Sequence, residues 1–100
     1  MRKLLNPPAV ERDGNSIQMI SGWIAEQGLH CTLNIGMWQS AGHDEPKAWG
    51  IFLADVIRHV ANAIEEHEGS ASHLTTENIL KLLSAELKMP TSDSVGYFPS

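Results

Sequence analysis

Cysteine occurs once in the 100 residues, at Cys31. That excludes an internal disulfide framework and any paired-cysteine metal site. Basic residues are also scarce: seven Lys and Arg stand against twelve Asp and Glu, for a formal charge of −5. A chain of that sign repels phosphate backbones and anionic lipid, so no nucleic acid and no membrane is expected as a partner. Long apolar runs are missing. The N-terminal MRKLLNPPAV holds only a two-leucine run, too short for a signal-peptide core, and nothing approaches the roughly eighteen apolar residues of a membrane span. These absences together imply a cytoplasmic protein. There is no GxxxxGK, GxGxxG or HExxH, and the five histidines include no i, i+4 pair. No cofactor and no metal is therefore expected.

What remains is an ordinary globular composition, 42% apolar and 19% charged, in a chain long enough for one core. Residues 1–100 read as a single domain, with Pro7 and Pro8 keeping an N-terminal arm (1–12) extended and a mixed tail over 91–100. The stretch DGNSIQMISGWIAEQG reads as a first helix. Asp13 or Asn15 can cap it, Ile17, Ile20 and Ile24 recur at helical spacing, and Gly28 suits a left-handed close. Residues 29–38, LHCTLNIGMW, then alternate. Leu29, Cys31, Leu33, Ile35 and Met37 fall on one face, and His30, Thr32, Asn34 and Trp38 on the other.

Asp44 and Pro46 announce a second helix. In AWGIFLADVIRHVANAIEEHEG the apolar residues, Trp49 through Ile64, span about half the circumference at ~100° per residue. That is more than one sheet face covers, so packing on two sides is expected. A third helix is expected from Thr75, with Leu74 and Ile79 as a hydrophobic staple and Ile79, Leu82, Leu83 and Leu87 as its core stripe; Pro90 ends it. Short strands are conceivable at residues 3–5 and 94–98.

The order helix, strand, helix, helix defines an α+β fold with one main strand. A lone strand exposes unpaired N–H and C=O groups along both edges, and residues 29–38 contain no proline and no formal charge to protect them. The sheet is therefore expected to be completed by strand pairing between subunits, giving a homodimer or higher homo-oligomer through the 29–38 strand. The rival arrangement pairs the strand with the terminal segments of its own chain.

Three stretches, GLHCTLNIGMW, AWGIFLADVIRHVANAI and PTSDSVGYF, together resemble a family of short, uncharacterised proteobacterial proteins, the domain of unknown function numbered 5076. The resemblance implies an α+β fold and a bacterial origin, and it carries no active-site residue onto this chain.

Candidate chemistry sits at two places. Asp55 and His59 lie one helical turn apart with Arg58 beside them; a carboxylate beside an imidazole is a component of acid–base machinery, but the favoured reading is an ordinary solvated helix face on which Asp55 pairs with Arg58 or His59. His30, Thr32 and Asn34 share the polar strand face, which a dimer could double into a shared small-ligand groove, although an ordinary wet sheet face or a layer packed against another dimer is the favoured reading. The cluster His43, Asp44, Glu45 fits a helix N-terminus better than a metal site. Cys31 points to the apolar face, where a thiolate is disfavoured. The three tryptophans are expected as core and interface anchors. The favoured reading is a non-enzymatic, homo-oligomeric interaction or binding module. The alternative is a small-ligand binder or enzyme whose site at the subunit interface uses His30, Asn34, Asp55, Arg58 and His59.

Overall fold

The computed structural model describes residues 1–97. Its elements run α1 (Pro8–Arg12), β1 (Ile20–Ala25), β2 (Gly28–Leu33), α2 (Met37–Ser40), α3 (Glu45–Glu68), α4 (Ser72–Lys88) and β3 (Ser94–Tyr97). The fold is α+β, as the sequence implies, with four helices rather than three and a three-stranded sheet in place of one strand; the arm expected to be extended over 1–12 is helical from Pro8 to Arg12, because a proline is tolerated in a helix's first turn.

The expected helix from Asp13 is replaced by a bend and β1. Asp13 instead accepts from Asn15 N at 2.9 Å, turning the chain. Ile20 and Ile24 fit helical spacing, but with Gly22 between them they also alternate, and pairing with β2 decides for the strand. β1 and β2 form an antiparallel hairpin in which Ala25 pairs with Gly28 and Ile20 with Leu33. Its two-residue loop places both Glu26 (φ 49°) and Gln27 (φ 66°) in the left-handed region, as a type I′ turn requires.

β2 stops at Leu33 because Gly36 (φ 97°) turns the chain into α2; Ile35 and Met37 therefore leave the strand face expected for them. β3 then pairs parallel with β2, Leu29 opposite Ser94 and Cys31 opposite Gly96. Both edges of β2 are thus satisfied within the chain. The premise that this strand must find its partners on another subunit does not hold; the open edges are the outer ones of β1 and β3. Phe98 lies outside the described residues, and residues 3–5 form no strand.

α3 matches its sequence signals closely. The Asp44 side chain accepts from Lys47 N at 3.2 Å, Pro46 sits in the first turn, and Gly69 (φ 80°) closes the helix. α4 begins at Ser72, so Leu74 and Thr75 lie inside it and the expected staple does not form; it ends at Lys88, ahead of Pro90. Glu86 holds the linker to β3 by accepting from Thr91 N (2.9 Å) and Oγ1 (2.7 Å).

α4 lies along α3, and Ala61, 1% exposed, is the one fully buried residue among those described. Of the expected core stripe on α4, Ile79 is half-buried while Leu82, Leu83 and Leu87 are exposed. No Cα of the three strands comes within 8 Å of one in α3 or α4. Ile24 and Leu29 on the sheet, and Leu53, Val56, Leu82 and Leu87 on the helices, are exposed, so sheet and helical hairpin each present apolar surface that is incompletely covered.

Candidate functional site around the α2–α3 junction

Two left-handed glycines build this corner. Gly36 starts α2, Gly42 (φ 91°) follows it, and His43 N returns to Trp38 O at 2.9 Å. α2 thereby carries Trp38 back onto the first turns of α3. Trp38 meets Trp49 edge-on (centroids 5.3 Å, planes 82°), and both touch Phe52 at 6.0 and 5.4 Å. These are favoured aromatic geometries. Trp38 and Trp49 anchor packing here, as expected of the tryptophans.

Glu45 ties the junction together. Its carboxylate accepts from Gly36 N (3.3 Å), Gln39 N (3.0 Å) and Trp49 Nε1 (2.9 Å). Desolvation acts to raise its pKa, but the donors from Gln39, Gly36, Trp49 and Trp38 outweigh it and hold the carboxyl below the usual glutamate value. From the sequence, Glu45 reads only as an acidic residue suited to the helix dipole. The i, i+4 spacing of Glu45 and Trp49 was the available signal.

Beside this cluster lies an open groove of about 540 Å³, lined by Trp38, His43, Asp44, Lys47, Phe52 and Asp55 among others. Its wall is aromatic and its rim carries both charge signs. Asp55 accepts from the Arg58 guanidinium, and both side chains are well exposed. His59 is exposed on α3. His30 sits in β2 opposite Trp23 and Val95, more than 8 Å from α3 by Cα. Trp23 Nε1 donates to Ser21 Oγ at 3.1 Å on that same sheet face. Asn34 lies past the strand end, its N–H on Met19 O at 3.0 Å and its side-chain amide toward Met37 Sδ. Of the five candidates, the structure joins Asp55 to Arg58 on one helix and keeps His30 apart from them. Among the described residues, no group of three His, Cys, Asp or Glu side chains is arranged to hold a metal ion, and no helix is long and apolar enough to cross a membrane.

The architecture defines a class: a β-hairpin, a helical hairpin and a closing parallel strand. The chain belongs to the family described as Domain of unknown function (DUF5076), whose profile matches residues 3–91. No curated protein matches the chain. A solved structure described provisionally as a pyruvate dehydrogenase, from the photosynthetic bacterium Rhodopseudomonas palustrus CGA009, superposes with a TM-score of 0.67 at 24% identity. It covers 93% of this chain and 90% of that one, and the likeness is one of fold.

Proposed function

We propose that the protein is a homo-oligomeric interaction or binding module whose core is completed by copies of itself, rather than an enzyme. One observation carries this reading: the chain exposes 8632 Å², whereas a compact monomer of 11.0 kDa exposes about 5,600 Å². Its radius of gyration, 15.4 Å, likewise exceeds the ~13 Å of a compact 100-residue domain. The N-terminal arm, which lines a groove beside β1, contributes to the excess, with Met1, Leu4 and Leu5 fully open. Exposed apolar residues on the sheet (Ile24, Leu29), α3 (Leu53, Val56) and α4 (Leu82, Leu87) add to it. An obligate homodimer buries about 2,000–5,000 Å² in total, about 1,000–2,500 Å² from each subunit, so a surplus of about 3,000 Å² per chain is large enough to supply such an interface with the open arm left over.

A second reading, a small-ligand site, draws support from the aromatic groove that holds Asp55, His43 and Lys47 together. Sedimentation equilibrium on the full chain tests the first. A mass of twice 11.0 kDa or a higher multiple at micromolar concentration is expected, and a single species of one chain overturns it.

A further inference from the structure

The apolar face of the sheet has a particular relief. By register, its central row across the three strands is Gly22, Cys31 and Gly96, all small. Ile20 and Leu33 stand on one side of this row, Ile24 and Leu29 on the other. The result is a trough between two aliphatic walls, with Ile24 82% and Leu29 42% exposed. The complementary shape is a ridge of branched side chains. α3 presents one: Leu53, Val56 and Val60 lie on one helical stripe, each 40–44% exposed, away from the Ala61 side that meets α4.

We infer that the subunits pair reciprocally, the α3 ridge of each copy seated in the sheet trough of the other, so that each sheet gains its helical layer from its partner. This rests on the self-association proposed above and adds where the contact lies. Three considerations select it. Sheet and helix layers are the standard way to close an α+β core, and within one chain Ile24 and Leu29 of the sheet and Leu53 and Val56 of α3 stay exposed. Two troughs face to face would set Gly22, Cys31 and Gly96 against their own copies, leaving a gap that forfeits dispersion contact. Two α3 ridges face to face would leave both sheets open. Only the reciprocal pairing covers all four surfaces, and it does so by an isologous two-fold contact.

The single native cysteine supplies the test. Cys31 is free and lies at the centre of the trough, and we substitute Val56→Cys on the ridge. A disulfide needs Cα atoms closer than about 7 Å; no strand Cα of the same chain is that near α3, so a bond between positions 31 and 56 reports the partner. The full chain is first sized in reductant to show that the variant assembles as the unsubstituted protein does, with Val60→Cys as the replacement if it does not. It is then oxidised with diamide, which accepts the two electrons and two protons. The expected product is a covalent dimer on non-reducing electrophoresis, with a 31–56 cross-linked peptide by mass spectrometry, both lost in the Cys31→Ser/Val56→Cys protein. In parallel, Ile24→Glu, at a position already open in the single chain, weakens association by about tenfold or more. An assembled protein that yields only 31–31 or 56–56 links, or none, overturns the reciprocal placement while leaving self-association standing. A protein that is monomeric before any substitution overturns both.

Discussion

The helical hairpin and the sheet answer the same problem, how to satisfy backbone groups and hide apolar side chains, by opposite routes. α3 is specified within its own neighbourhood: Asp44 caps it, Pro46 starts it, Gly69 ends it, and α4 follows after a three-residue turn to bury Ala61. The sheet is specified across the chain. β2 is sealed on one side by an adjacent hairpin partner and on the other by β3, which arrives only after α3 and α4 have been traversed. Long-range pairing of that kind carries a loop-closure cost that local elements avoid. The hairpin of helices is therefore the part expected to form first and to tolerate insult, and the third strand the part most easily lost.

Gly96 is where that contrast breaks most readily. A Cβ built there would sit 3.0 Å from the Cys31 carbonyl oxygen and 3.7 Å from its Sγ, and the obstructing atom is backbone. Gly96→Val should destabilise the protein by about 1–3 kcal/mol in urea titrations at fixed protein concentration. Hydrogen exchange should accelerate in β3 and along the β2 edge facing it, while α3 keeps its protection. Equal loss of protection in α3 would show that the two regions are one cooperative unit.

A smaller change sharpens the comparison in the other direction. Gln27 holds φ 66° without being glycine, a conformation costing about 1–2 kcal/mol for an L side chain. Gln27→Gly removes that strain and gives back part of it as chain entropy, for a net gain of about 0.5–1 kcal/mol. The urea midpoint should rise, with the gain in protection concentrated in the β1–β2 hairpin. An unchanged midpoint would mean that the turn is not strained in solution.

The same division explains what could be read from residues alone. α3 was legible because its signals sit at its own ends. β1 was not: Ile17, Ile20 and Ile24 satisfy a helical spacing, Ile20 and Ile24 also satisfy alternation, and the Glu26–Gln27 turn lacks the Asn-Gly or Asp-Gly pair that marks a hairpin. β3 is four residues long and its partner lies more than sixty positions earlier, so periodicity had little to work on. The Asp55–Arg58 pair followed from i, i+3 geometry. The groove beside it was hidden, because it depends on two glycine turns that bring α2 back over α3.

Glu45 offers the finest cut, since it belongs to the helical side of the comparison yet reaches back toward the strand end at Gly36. Its pKa is lowered in the fold. The stabilisation it contributes is accordingly complete above the unfolded-state value of about 4.3 and is lost as pH falls through the lower folded value. Glu86, lowered by the hydrogen bonds from Thr91 N and Oγ1, titrates with the same sign at the other linker. Thermal midpoints measured from pH 7 down to pH 3 should therefore fall in the acid limb. In Glu45→Gln the limb should be shallower and the neutral-pH midpoint lower, because an amide accepts more weakly from Gln39 N and Trp49 Nε1. Near-ultraviolet circular dichroism of the Trp38–Trp49 pair should weaken with it. An acid limb in Glu45→Gln as steep as in the unsubstituted protein would place the linkage in Glu86 or elsewhere, and would leave the junction held by its aromatic contacts alone.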